Sequence, residues 1–148
     1  MKQYSIFEIA DWFLSKASMT PKKLEKLTYY AEAWSNALYE KSLINDAEFE
    51  AWAHGPVAPD LYHQYKSYGW NMIPKKHEDK IFDSQVLDLL ESVWVTYGDK
   101  SANELEALTH SEVPWKKARK GLPEGASSQE KISKKDMKEY YRSIYNGD

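Results

Sequence analysis

Four histidines, His54, His63, His77 and His110, are the side chains of this chain most suited by type to do chemistry. Histidine is the usual general base near neutral pH and a common zinc ligand. A zinc site is recognised by ligands at short, regular spacing. Here His63 is followed by Gln64 and Tyr65, and none of the four has such spacing. No metal and no cofactor are therefore expected. His77 lies among Lys75, Lys76 and Asp79 and reads as a solvated loop residue. His54 and His110 read more readily as partners of backbone groups than as catalysts. The chain has no cysteine, which removes disulfides, thiolate metal sites and cysteine nucleophiles, and fits a reducing cytosol. No nucleophile elbow, phosphate-binding glycine loop or dinucleotide fingerprint is present. The carboxylate pairs Glu48/Glu50 and Glu104/Glu106 are two residues apart, which puts their members on different faces of a strand or helix. An enzyme is not expected.

Charge points away from nucleic acid and membranes. The net charge is −3, and only Arg119 and Arg142 of the 20 basic residues are arginine, the usual bidentate reader of phosphate and guanine. Basic clusters at Lys22-Lys23-Lys26, Lys116-Lys117-Arg119-Lys120 and Lys131-Lys134-Lys135-Lys138 have acidic neighbours and read as solvated helix faces. No run approaches the length of apolar chain that a membrane span requires. The N-terminal stretch MKQYSIFEIADWF is broken by Glu8 and Asp11 and does not read as a signal peptide. The expected place of action is the cytoplasm.

Aromatic residues carry the stronger signal. Six tryptophans, eleven tyrosines and four phenylalanines are many for 148 residues. A domain of this size does not easily bury every tryptophan, and surface tryptophan and tyrosine are favoured anchors of protein interfaces. Trp12, Trp70, Trp94 and Trp115 are singled out on this ground.

The elements that must hold these residues are mostly helices. Ser5 with Glu8 forms a capping box, and Ile6, Ile9, Ala10, Phe13 and Leu14 follow at helical spacing. Thr20-Pro21 opens a longer helix with the stripe Leu24, Leu27, Ala31, Trp34 and Leu38, leaving Lys22, Lys23, Glu25, Lys26 and Glu32 mostly off that stripe. Ser42–Ile44 and Glu48–Trp52 alternate around Asn45-Asp46 and read as a short β-hairpin. In AWAHGPVAPDLY, residues 51–62, Gly55 permits a sharp turn, Pro56 excludes helix and Pro59 restarts it, so the motif reads as a strand-to-helix corner. Leu61, Tyr65 and Tyr68 form the inner face of that helix and Gly69 ends it. Further helices start at Asp83 or Ser84, at the capping box Ser101/Glu104 and at Ser133, with a short turn through Pro114 and Trp115. The predicted fold is mainly α: one compact domain over 1–148, a bundle of six to seven helices with one small β-hairpin. Its flexible segment is expected near 121–130, where Gly121–Ser128 is poor in apolar residues.

The segments MTPKKLEKLTYYAEAWSNALY, FEAWAHGPVAPDLYHQYKSYG, VWVTYGDKSANELEALTHSEVPWKKAR and ISKKDMKEYY, in this order, resemble the Panacea antitoxin domain family, which includes SocA-like antitoxins and GepA-like phage-associated proteins. The resemblance runs from Ile6 to Tyr145, and AWAHGPVAPDLY and LTHSEVPW are its specific parts. It implies the antitoxin of a toxin–antitoxin pair, which neutralises a cognate toxin encoded nearby by direct contact. The alternatives it leaves open are a proteolytic adaptor that delivers the toxin to a AAA+ protease and a small DNA-associated regulator. Many members carry an added DNA-binding domain; 148 residues leave no room for one, so autoregulation through DNA is not carried over. The candidate partner-binding residues are Trp52, His54, Tyr62, His110, Trp115 and Arg119, with Tyr62 and Trp115 first as exposed aromatics.

Overall fold

The computed structural model describes residues 1–147. Seven α-helices and a two-stranded sheet make up the described chain. Helix α1, Ile6–Lys16, starts at the expected capping box, with the Ser5 N–H donating to Glu8 Oε1 at 3.0 Å. Helix α2, Pro21–Tyr39, starts at Thr20, whose hydroxyl accepts the Lys23 N–H. Strands β1, Glu50–Trp52, and β2, Gly55–Val57, pair antiparallel. Helix α3, Pro59–Tyr65, runs into a 3-10 turn at Lys66–Tyr68 and stops at Gly69. Helices α4, Ser84–Tyr97, α5, Ala102–Ser111, α6, Val113–Ala118, and α7, Lys134–Tyr145, complete the order. No described helix is long and apolar enough to cross a membrane.

Helix α2 is the axis of the bundle. Helices α1, α3, α4, α5 and α7 and strand β2 all pack against it. A helix enclosed in this way has no continuous solvent face, which corrects the reading of its charged residues. Glu25, Lys26 and Glu32 are buried, not at the surface. Each is retained by polar partners, as a buried charge requires. Glu32 accepts the backbone N–H groups of Leu43 and Ile44 at 3.0 and 2.9 Å through one oxygen, and the Ser42 hydroxyl and Asn36 amide through the other.

That carboxylate also explains a second correction. The hairpin lies at Glu50–Val57 and not across Asn45-Asp46. The N–H groups of Leu43 and Ile44 are taken by Glu32, and the same stretch makes a parallel bridge with Tyr4. It therefore has nothing to offer β1. The free edge of β1 is closed from another direction: the Ala51 N–H donates to the Glu130 carbonyl, and the Ile132 N–H to the Phe49 carbonyl, both at 2.8 Å. The exposed edge of a two-stranded sheet is thus covered.

The α2–α7 contact is a tyrosine cluster built on Glu112. The hydroxyls of Tyr30 and Tyr141 both donate to Glu112 Oε1 at 2.8 Å. Tyr29 bonds Tyr141, and Tyr97 stacks on Tyr30 with ring centroids 3.9 Å apart. Burial pushes the Glu112 carboxyl up to about 7, against the lowering effect of the two hydroxyl donors.

Candidate functional site

The β1–β2 hairpin brings all six candidate residues into one connected group. Gly55 makes this possible: its φ is +109°, a region that suits glycine, and a Cβ there would lie 2.6 Å from Lys26 Cε. The reversal puts Ala53 and His54 in the turn and Trp52 beside the start of α3. The Trp52 and Tyr62 rings meet edge to face, centroids 5.0 Å apart. His54 Nδ1 lies 3.4 Å from Glu106 of α5, which also holds the ammonium of Lys22.

Beneath this outer layer is an inner one. The Trp115 indole N–H donates to the Trp52 carbonyl at 2.9 Å. His110 stacks on Trp115 with centroids 3.9 Å apart, and the Arg119 guanidinium carbon lies 4.6 Å from the centre of the same indole. Arg119 also donates to the carbonyls of Ala51, Pro123, Glu124 and Ala126, joining the hairpin to the 123–126 loop. Trp115 and Arg119 are buried. The expectation that Trp115 is an exposed aromatic is therefore corrected. An indole N–H is satisfied here by a backbone carbonyl, the usual reason a tryptophan is tolerated inside a fold. Trp115 and Arg119 set the shape of the site from below, while Trp52, His54 and Tyr62 face outward.

The partners of the two histidines limit their chemistry. His54 faces Glu106, and His110 Nδ1 lies 3.7 Å from Glu124. Burial lowers the His110 pKa, with Glu106 and Glu124 opposing. Neither ring bonds a hydroxyl among the described residues, so neither is paired with a serine, threonine or tyrosine nucleophile there. No group of three or more His, Asp or Glu side chains among the described residues is placed to hold a metal ion.

What the arrangement does form is a cleft of about 380 Å³ between α2, the hairpin and α3. Trp52, Val57, Tyr62 and Trp70 supply its apolar walls, and Glu25 and Lys26 its floor. Glu25 Oε2 accepts the Ala58 N–H at 2.9 Å, and Lys26 Nζ donates to the Pro56 carbonyl at 3.1 Å. Burial raises the Glu25 carboxyl, offset by the Ala58 N–H and then by the Lys26 charge, and lowers the Lys26 ammonium, offset by the Glu25 charge. These two residues fix the course of β2 into α3 by bonding the backbone on either side of Val57.

Trp70 is the residue that the candidate set lacks. It is 79% exposed, immediately after Gly69, whose φ is +58°. Its turn is fixed on both sides. The Gly69 N–H closes the 3-10 turn on Lys66, and Ile73 exchanges both backbone hydrogen bonds with Met19. A large indole is thus left in water on a turn whose backbone is hydrogen-bonded on both sides. The sequence marked Trp70 only as one of four tryptophans, because nothing local separates a buried indole from an exposed one.

Compared with known families, the chain matches the family model described as Antitoxin SocA-like, Panacea domain, over residues 24–116. That span holds the hairpin, the cleft walls and floor, His110 and Trp115; Arg119, α1 and α7 lie outside it. No curated protein and no solved structure matches the chain.

Proposed function

The chain belongs to the SocA-like antitoxin family with a Panacea domain, and from that premise we propose that it neutralises a partner toxin by direct binding through the cleft walled by Trp52, Tyr62 and Trp70. The toxin is encoded beside it, and the pair acts in the cytoplasm. One observation carries the reading: the span matched by the family model contains a concave surface with an exposed tryptophan on its wall. Tryptophan and tyrosine in such positions are the residues that most often dominate binding energy.

The magnitudes suit the role. Stoichiometric masking needs a dissociation constant on the order of nanomolar, or about −12 kcal/mol. An interface of roughly 1,600 Å² with a few aromatic anchors reaches that range when its surfaces are preorganised. Here the cleft is shaped before any partner arrives, by Gly55, the Trp115–Trp52 bond and the Glu25/Lys26 pair.

Co-expression tests the proposal. The protein encoded beside this chain should arrest growth alone, and this chain should restore growth in proportion to its amount while co-purifying with the partner. A harmless neighbour, or rescue without a complex, would remove the masking reading. Rescue accompanied by faster degradation of the neighbour would favour an adaptor for a AAA+ protease instead.

A further inference from the structure

Resting on the antitoxin reading, we propose that the cleft receives one large apolar side chain presented by an acidic segment of the toxin, whose carboxylates pair with Lys66 at the rim. The apolar part follows from the walls. Trp52, Val57, Tyr62 and Trp70 enclose a space of about 380 Å³, large enough for a single aromatic or branched side chain and its neighbouring backbone. The exposed indole of Trp70 is the wall with most surface left to cover.

The charge of the occupant follows from the lysines. Three line the cleft: Lys22, Lys26 and Lys66. Lys22 is paired with Glu106 and also bonds Asn103; Lys26 bonds the Pro56 carbonyl. Lys66 has no acidic partner among the described residues and is exposed on the last turn of the α3 region. The one carboxylate lining the cleft, Glu25, is buried and bonded to the Ala58 N–H. The cleft thus offers an incoming chain a free cation and no free surface anion. Electrostatic complementarity of this kind selects partners and raises association rates more than it adds affinity.

The test uses synthetic peptides, so that it does not depend on the toxin. Acetyl-Asp-Glu-Phe-Asp-Glu-amide, the same peptide with Ala for Phe, and the version with Lys in place of all four acids are titrated into the full chain. The indole N–H resonances of Trp52 and Trp70, assigned from the Trp52→Phe and Trp70→Phe variants, report binding. The acidic Phe peptide should shift both resonances saturably. The Ala and Lys peptides, and the acidic Phe peptide on Trp70→Ala, should each bind at least about tenfold more weakly. Lys66→Glu should weaken the acidic peptide and admit the Lys peptide. Both altered residues are exposed, so the fold stays intact. No saturable shift at millimolar peptide, or equal binding of the Ala or Lys peptide, would overturn the proposed occupant. If growth rescue by the wild-type chain persists in that case, only the occupant is wrong. If rescue fails while the peptide binds, the antitoxin reading is wrong and the cleft's preference stands.

Discussion

The indole N–H of Trp115 donates to the carbonyl oxygen of Trp52, 2.9 Å away, and so fastens LTHSEVPW to AWAHGPVAPDLY, the two most specific stretches of the chain. The two residues are 63 positions apart and belong to opposite layers of the same site. Trp115 lies beneath and shapes; Trp52 lies above and faces the cleft.

That division predicts different effects for two tryptophan changes. Trp115→Phe deletes a buried donor and should cost about 1–3 kcal/mol of stability, read as a lower denaturation midpoint. Trp70→Ala removes a side chain that is 79% exposed, so its midpoint should match wild type while toxin binding falls. Equal loss of stability in both variants would mean that Trp70 belongs to the core.

Gly55 is the second test. A substituted residue there must adopt φ near +109° and place Cβ against Lys26 Cε and Thr109 Oγ1. The backbone strain alone costs on the order of 1–3 kcal/mol, and the clash adds to it. Urea denaturation of Gly55→Val should show at least that loss. An unchanged midpoint would show that the hairpin relaxes around the new side chain.

The caps of α1, α2, α5 and α7 were legible because capping is local: a hydroxyl and its target lie within three residues. The strand-to-helix corner was legible for the same reason, through Gly55, Pro56 and Pro59. Burial of Glu25, Lys26 and Glu32 was not, since a helical stripe implies one inner face and α2 is enclosed by six elements. The true hairpin was hidden because Ser42–Ile44 alternates like a strand while its N–H groups go to a side chain a dozen residues back. Of the site, the two motifs and their flanks pointed to six residues that the fold brings close together, but their division into inner and outer layers depends on long-range bonds such as Arg119 to Ala51.

Arg119 predicts the behaviour of the loop after α6. Its guanidinium holds the carbonyls of Pro123, Glu124 and Ala126, and a lysine has neither the planar fork nor the number of donors to replace it. Limited proteolysis should cut the wild type first within residues 121–128, and Arg119→Lys should be cut there faster. Identical cleavage rates would show that the guanidinium does not restrain the loop.

Glu112 predicts a pH dependence. Its carboxyl is raised from 4.5 in the ordinary glutamate to about 7 in the folded chain, mainly by burial. The folded state therefore keeps a proton, between those two values, that the unfolded chain has released. The stabilisation from that proton is complete below the unfolded value and is lost as pH rises through about 7. Over this window the wild type should lose about 1–3 kcal/mol more than Glu112→Gln, which keeps an acceptor oxygen for Tyr30 and Tyr141 but cannot ionise. Parallel stability curves for the two proteins, measured by urea denaturation across the window, would show that Glu112 ionises without cost.

The most direct test is calorimetric titration of the purified neighbour-encoded protein into this chain and into Trp70→Ala. Binding through the cleft predicts a saturating one-to-one complex of nanomolar order for the wild type, weakened by about 2 kcal/mol or more, some thirtyfold, in a variant whose thermal midpoint is unchanged. Absence of a complex, or equal affinity of the two proteins, would contradict it.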